Sequence, residues 1–296
     1  MIKMNNISIN EVTIQNNTQK VLSTLLRNKH KSGSKTNIRI KTIYTKQNVL
    51  KMATQLFNAL NNRGFYTPVS DSDEICAEPR AQFNSNDEFK SFCIKLFTDD
   101  LRRNSENIYD KLKLSKNVCQ GCHVRQTNAL DHFFDKKDAY ELAIFPDNLI
   151  PICTNCNSKK GTKSFVYPYF LILQNANWLE CKVNADQTFA FSISKQAAKT
   201  SFEKTILMDL HNQYNYLKTF DTYIINGQAI VTDNISNIKI LKYKCGFKKD
   251  DAKKLIEAKN EDTKQVFLKT TEFYKIAILD GIVKNFDNIW NKVTNT

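Results

Sequence analysis

The chain has 296 residues, of which 41% are hydrophobic and 25% are charged, as in an ordinary globular protein. Seven Gly and five Pro are too few for long structureless linkers, and the opening MIKMNNISIN lacks the apolar core of a signal peptide. The longest apolar run, 165–173, is too short to span a bilayer and is broken by Pro168. These features argue against a disordered, exported or membrane-spanning chain and predict a cytoplasmic protein.

The net charge of +13 is concentrated near the N-terminus. The segment from Val12 to Ser70 contains no Asp or Glu. Its basic residues are Lys20, Arg27, Lys29, Lys31, Lys35, Arg39, Lys41, Lys46, Lys51 and Arg63. A field of one sign attracts a polyanion, and nucleic acid is the most common one. A solvated face, or attraction to an anionic membrane, would produce the same pattern, so the charge alone leaves these alternatives open.

The first third of the chain is predicted to be mostly helical. Apolar residues recur at helical spacing over 49–60. A further helix is predicted over 89–101, with Ser85 or Asn86 as its N-cap. Cys93 lies on the apolar face of this helix and is assigned to the core.

The run over 27–38 contains turn residues and has no hydrophobic periodicity, which predicts a basic loop. Lys29, Lys31 and Lys35 in this run are candidates for contact with nucleic acid. His30 is interpreted as a solvated loop histidine rather than a metal ligand.

Three regions are predicted: a basic helical region at 1–113, a middle region at 114–175 and a C-terminal region at 176–296. The middle region is predicted to consist of two short strands that feed a helix. The C-terminal region is predicted to begin with strands over 178–183 and 189–193. The fold class is therefore α+β and mostly helical.

The remainder of the C-terminal region is predicted to be helical. Apolar spacing indicates one helix over 202–217 and a final helix over 266–289. The pair Asn226-Gly227 lies between two apolar runs, where either a hairpin turn or a helix end would use it.

Four of the eight cysteines form two C-x-x-C pairs, Cys119/Cys122 and Cys153/Cys156. Two such pairs at this separation match a tetrahedral Zn²⁺ site without an open position, so the zinc is expected to be structural. A redox dithiol would not need the second pair. A c-type haem, suggested by His123 after Cys122, would require export.

An acid, an imidazole and two carboxamides lie in or beside the segment between the cysteine pairs. They are Asp131, His132, Asn148 and Asn157. The oxygen atoms of Asp131 and Asn157 suit Mg²⁺ or Mn²⁺. Along a strand, Asp131 and His132 point to opposite faces unless the strand ends there. An isolated Asp-His pair is weak evidence, and the order of these elements in and beside the segment between the cysteine pairs makes it informative.

The run over 119–161 resembles an HNH nuclease motif, with the ββα-metal fold and accompanying zinc knuckles. By this resemblance, His132 is the first H and Asn148 is the N. Asn157 stands at the final H position, and Asp131 is the acidic metal ligand.

The resemblance implies metal-assisted hydrolysis of phosphodiester bonds. His132 would be the general base that activates water, and a Mg²⁺ or Mn²⁺ ion would be held by Asp131 and Asn157. Asn148 would orient the loop or the His132 ring. The expected substrate is DNA more than RNA, and a nuclease inside its host is expected to need a regulatory partner or trigger.

The longer run over 130–161, followed by FVYPYF, resembles a narrower group of bacterial HNH proteins. Some of these act in anti-phage defence, which implies a role in defence or restriction. Asp135 and Tyr167 stand where members of that group often carry Pro and His.

Lys159, Lys160 and Lys163 follow the second cysteine pair and are candidates for contact with phosphates. A solvated last helical turn would explain them equally well. Two other functions stay open for the whole chain. One is a zinc-knuckle module that binds nucleic acid with a decayed catalytic unit, and the other is an interaction protein in which zinc only stabilises the fold.

Overall fold

The computed structural model describes residues 10–28, 34–62, 82–104, 108–161, 163 and 165–293. Of the described residues, 67% are helical, and these residues also contain two small antiparallel sheets. The predicted class, α+β and mostly helical, is therefore confirmed. In this part of the chain, no helix has the length and apolar character needed to cross a bilayer.

The described residues form two compact units. Unit 1 contains those of Met1–Lys116, Thr127–Ile152 and Tyr167–Leu171. Unit 2 contains those of Asn117–Gln126, Cys153–Val166 and Ile172–Thr296.

Unit 1 begins with three helices, α1 (Glu11–Asn28), α2 (Lys35–Ile43) and α3 (Lys46–Asn62). α1 and α3 pack against each other, and the periodic run over 49–60 lies within α3 as predicted. The predicted loop over 27–38 is wrong at its first two residues, which belong to α1, and again from Lys35 onward. The Ser34 side chain accepts a hydrogen bond from Asn37 N at 3.2 Å and starts α2 there. Residues 29–33 lie outside the described chain.

The predicted helix over 89–101 is present, with a change of winding along its length. α4 (Asn86–Lys95) begins at Ser85, whose side chain accepts from Glu88 N at 3.1 Å. The chain then continues as a π-helical turn, Leu96–Leu101, that buries Phe97. Short helices α5 (Arg102–Asn104) and α6 (Ile108–Lys113) follow.

The middle region contains the predicted order of strand, strand and helix along the chain. In unit 1, β1 (Ala129–His132) pairs antiparallel with β2 (Leu149–Ile152). Two 3-10 turns, Tyr140–Leu142 and Pro146–Asn148, lie in the connection. The helix α7 (Thr154–Lys160) belongs to unit 2.

Unit 2 continues with a hairpin of β3 (Leu179–Val183) and β4 (Phe189–Ile193), both at their predicted positions. The predicted helix over 202–217 is α8 (Ser201–Leu217). It begins with a capping box, in which Thr200 and Glu203 each bond the backbone of the other.

Four helices complete unit 2, and they show that the predicted final helix over 266–289 is wrong. They are α9 (Thr219–Tyr243), α10 (Lys249–Thr270), α11 (Phe273–Lys284) and α12 (Phe286–Lys292). The break follows α10 because Thr271 adopts the left-handed conformation, at φ 57°. Its N–H bonds the carbonyls of Leu268 and Phe267, and the N–H of Glu272 bonds Phe267 O at 3.0 Å, which closes the helix.

Asn226-Gly227 forms neither a hairpin turn nor a helix end, because both residues lie inside α9. Asn226 Nδ2 donates to Thr222 O at 2.7 Å within the helix. At Gly227 an added Cβ would overlap Ile278 Cδ1 and touch the Phe189 ring. The glycine therefore serves close packing rather than chain reversal.

Candidate functional site

The side chains of the two C-x-x-C pairs meet in unit 2. The Sγ atoms of Cys119, Cys122, Cys153 and Cys156 all lie within 4.8 Å of one another, and all four residues are buried. A tetrahedral ion with thiolate bonds of about 2.3 Å would separate the sulfurs by about 3.8 Å. The four cysteines are thus positioned to hold a metal ion, for which zinc is plausible.

Backbone N–H groups point at the sulfur atoms of this thiol cluster. Cys119 Sγ accepts from Gly121 N at 3.3 Å and from Cys153 N at 3.2 Å. Cys153 Sγ accepts from Cys156 N at 3.4 Å. Such donors stabilise negative charge on sulfur, and the thiolate is the form that ligates metals.

The four thiols influence one another's ionisation. The hydrogen bond with Cys119 is the main cause that lowers the pKa of Cys122 to about 7. The same neighbour lowers the pKa of Cys153 and raises that of Cys156. The thiols therefore share hydrogen bonds with one another, and a bound cation would favour ionisation of all four.

His132 is the last residue of β1 and lies in the core of unit 1. It is only 4% exposed, and its ring meets Phe97 edge-on at 4.4 Å between centroids. Nε2 lies 3.0 Å from the carbonyl oxygen of Ala143. Because a carbonyl only accepts, this bond places the hydrogen on Nε2 and, in the neutral ring, the lone pair on Nδ1.

The environment keeps His132 neutral. Burial, the largest influence, lowers the pKa of the imidazole to about 4, although the bond to Ala143 acts in the opposite direction. The charge of Lys136 lowers the pKa further, while those of Asp131 and Asp135 raise it. At pH 7 the ring is therefore unprotonated, as a general base must be.

Asp131 and His132 point to opposite faces of β1. Burial alternates along the strand, with Leu130 and His132 buried and Asp131 half-exposed. In the sheet, Asp131 lies opposite Ile150, and His132 lies opposite Leu149. The carboxylate is thus the more accessible of the two groups.

Asn148 holds the loop that follows His132. Its backbone oxygen accepts from Phe133 N at 2.8 Å, and its Oδ1 accepts from Phe134 N at 2.9 Å. Its Nδ2 donates to Phe134 O at 3.2 Å and to Leu142 O at 3.4 Å. Asn148 therefore holds both residues after the imidazole, Phe133 through its backbone and Phe134 through its fully buried carboxamide.

Asn157 lies in the other unit. It is half-buried on α7, where its N–H donates to Cys153 O at 2.9 Å within the helix. Asp131, His132 and Asn148 therefore belong to unit 1, and Asn157 belongs to unit 2 together with the thiol cluster.

The three lysines after the second cysteine pair have different environments. Lys159 Nζ donates to Leu217 O at 2.9 Å, at the C-terminus of α8, where a cation is favoured. The ammonium of Lys163 lies 4.7 Å from the ring centroid of Tyr216, and that of Lys160 lies 5.9 Å from Phe165. Their contact with phosphates stays a prediction.

The N-terminal basic segment is only partly described. Lys35 begins α2, whereas Lys29 and Lys31 lie outside the described residues. Arg39 has a structural role, because it pairs with Glu88 at 2.7 Å and lies 4.1 Å from the Phe83 ring centroid. Its charge is therefore balanced within unit 1.

Two polar contacts near the predicted residues had no local sequence signal. In unit 1, Asn17 of α1 bonds the carboxylate of Asp147. In unit 2, with the Asn155 amide turned so that its oxygen faces the guanidinium, Asn155 accepts from Arg125 Nη1 at 3.0 Å. Both contacts join residues distant in sequence, which periodicity and motif spacing do not predict.

No family model, curated protein or solved structure matches the chain. The functional assignment accordingly depends on the residues and their geometry.

Proposed function

We propose that the chain is a metal-dependent endonuclease of the HNH type that hydrolyses phosphodiester bonds of DNA. The observation that carries the proposal is the state of His132, an imidazole held neutral and anchored through Nε2 to the Ala143 carbonyl. Asn148 clamps the loop that follows it, and Asp131 precedes it in the chain. Base-catalysed attack by water requires a fixed, unprotonated imidazole, and His132 provides one.

Two kinds of cation belong to this proposal. The four cysteines of the thiol cluster would hold a structural Zn²⁺, in keeping with their burial and their N–H donors. Asp131 and Asn157 offer the oxygen atoms that Mg²⁺ or Mn²⁺ prefers. When bound, the harder cation would neutralise charge on the phosphate and on the leaving oxygen.

The protein's own groups would move and hold one proton. Nδ1 of His132 would take the proton from water, while the bond from Nε2 to Ala143 holds the tautomer. Burial keeps this nitrogen unprotonated over the physiological range. Asn148 would act on the ring indirectly, by fixing the backbone of Phe133 and Phe134.

The proposed substrate is DNA rather than RNA, and the proposed location is the cytoplasm. The basic segment supports a polyanionic partner, through Lys29, Lys31 and Lys35 in particular, and Lys159, Lys160 and Lys163 would add contacts near α7. The resemblance to bacterial defence proteins extends the proposal to anti-phage defence or restriction, with a regulatory partner that controls cleavage.

One observation favours the alternative of a catalytically decayed zinc-knuckle module that binds nucleic acid. His132 is 4% exposed and packs against Phe97, as a structural core histidine would. In that case the imidazole would stabilise unit 1, and the thiol cluster and basic segment would account for the binding of nucleic acid.

Zinc-loaded protein freed of Mg²⁺, incubated with supercoiled plasmid and separately with RNA, distinguishes these functions. The nuclease proposal predicts plasmid cleavage only after Mg²⁺ or Mn²⁺ is added. Salt-sensitive binding without cleavage would support the decayed module. A protein that neither binds nor cleaves would support an interaction protein. Chelators are avoided, because they would also remove zinc from the thiols.

A further inference from the structure

We propose that Asn17 and Asp147 form a positioning pair through which α1 holds the loop of His132. The proposal rests on the proposed nuclease function and adds two residues to it. Neither is expected to touch the substrate, and both would act through Asn148.

The pair is a direct amide–carboxylate contact within unit 1. Asn17 Nδ2 lies 3.3 Å from Asp147 Oδ1 and 3.2 Å from Oδ2, so the amide faces both oxygens. The same stretch of α1 is packed into the core through the buried residues Ile14, Thr18 and Val21, and this packing fixes the position of Asn17. The donor is therefore carried by a packed helix rather than by a mobile loop.

Asp147 is anchored at a second point. Its carbonyl oxygen accepts from the hydroxyl of Tyr167 at 3.1 Å. The Tyr167 ring in turn packs edge-on against Phe133, at 5.0 Å between centroids. The side chain and the backbone of Asp147 are thus both held, and one of the anchors touches the residue that follows His132.

The anchors act on the 3-10 turn that carries Asn148. Asp147 is the central residue of Pro146–Asn148, so a shift of its backbone would move the next residue. Asn148 bonds Phe133 through its backbone, and Phe134 through its side chain. The path from α1 to the loop after His132 therefore consists of hydrogen bonds of 2.8 to 3.3 Å and one turn.

The amide of Asn17 favours the charged form of the Asp147 carboxyl group. Burial, the largest influence, raises the pKa of Asp147, and the hydrogen bond from Asn17 opposes it. Among the described residues, no cation contributes to this balance. A neutral donor on α1, together with the backbone N–H of Asp147 itself, thus opposes the effect of burial on this carboxyl group.

A charge-swap series tests the pair. Asn17→Asp places a second carboxylate against that of Asp147. We expect the single-turnover cleavage rate at saturating DNA to fall by about 10- to 100-fold, as for other residues that orient a catalytic group. Adding Asp147→Asn restores an amide facing a carboxylate, with the partners exchanged, and should recover most of the rate. Asn16→Asp is the matched control, because it adds the same charge at an exposed neighbouring position of α1.

Amide hydrogen exchange at Phe133 and Phe134 gives a readout that needs no cleavage. Exchange should speed up in Asn17→Asp, stay at the wild-type rate in Asn16→Asp and return toward it in the double variant. If Asn17→Asp unfolds, Asn17→Leu replaces it, with the same expected direction.

The possible outcomes separate the two proposals. Wild-type cleavage and exchange in Asn17→Asp, or no recovery in the double variant, would overturn the positioning pair and leave the nuclease proposal intact. If wild-type protein cleaves no nucleic acid, the nuclease proposal fails, and the exchange rates alone decide whether Asn17 and Asp147 hold the loop.

Discussion

The thiol cluster of unit 2 and the loop of unit 1 that follows His132, beginning with Phe133 and Phe134, are held in different ways. In the thiol cluster, each C-x-x-C pair brings two sulfur atoms together within four residues. Nearby backbone N–H groups donate hydrogen bonds to the sulfur atoms. In the loop, the imidazole depends on the Ala143 carbonyl and on the Asn148 clamp.

This difference separates a local site from a site built by the fold. A C-x-x-C pair needs only a short turn to present two thiols, so two pairs define four ligands of a single kind. The candidate site residues of unit 1 are an acid, an imidazole and a carboxamide, Asp131, His132 and Asn148, each of which must be oriented by other parts of the chain. Metal binding should therefore respond to changes at the cysteines, and cleavage should respond to changes much farther away.

The largest predicted effect is at the thiol cluster. Cys153→Ser should lose bound zinc and disrupt the structure around α7, because three thiols hold the ion poorly and its binding energy supports folding. Metal analysis and thermal unfolding measure both effects. Cys245→Ser is the control, since Cys245 is exposed and lies outside the cluster. Unchanged zinc content in Cys153→Ser would rule out the thiolate site.

A smaller effect on stability is expected from His132 when the pH falls. The folded pKa of His132 is about 4, below its ordinary value of 6.5, so the unfolded chain binds the extra proton first. The contribution of this pKa difference to the free energy of unfolding is fully present above pH 6.5. It is lost as the pH falls toward 4, by roughly 3 kcal/mol.

Denaturant unfolding between pH 7.5 and 4 measures this loss. His132→Asn is the reference, because it lacks the titrating ring while keeping the thiols, so that acid release of zinc affects both proteins alike. A constant stability difference between the two across this range would contradict the buried, neutral imidazole.

The smallest predicted effect concerns the basic segment. Replacing Lys29, Lys31 and Lys35 with Gln should weaken DNA binding and flatten its salt dependence, by roughly one unit of slope for each phosphate that is no longer neutralised. The matched control replaces three exposed lysines of α10, Lys254, Lys259 and Lys269. Equal salt slopes in the two triple variants would assign the basic segment another role.

The parts of the fold that sequence predicted are those set by local periodicity. α3, α8, β3 and β4 lie where apolar spacing placed them, because each buries one face against its own unit. The break at Thr271 was missed, since apolar residues continue on both sides and only the left-handed backbone ends the helix. At Gly227 a turn or helix end was predicted where the helix continues. The glycine is needed there because Ile278 and Phe189, from distant parts of the chain, occupy the space of a side chain.

The same distinction applies to the candidate site. Cysteine spacing predicted the cluster of four thiols, and the alternation along a strand predicted the opposite faces of Asp131 and His132. The bond of Lys159 to Leu217 and the pair Asn17–Asp147 were not predicted, because their partners are 58 and 130 positions apart. Long-range hydrogen bonds leave no periodic trace in a single sequence.

The most direct test of the nuclease proposal compares wild type with His132→Ala in single-turnover cleavage of one labelled DNA duplex at saturating Mg²⁺. Both proteins should be shown to retain zinc and cooperative unfolding, and His211→Ala, at an exposed histidine, should cleave like wild type. We predict that wild type cleaves and that loss of the imidazole slows cleavage by about 10²- to 10⁴-fold without loss of DNA binding. Equal cleavage rates in wild type and His132→Ala would contradict the assignment of His132 as the base.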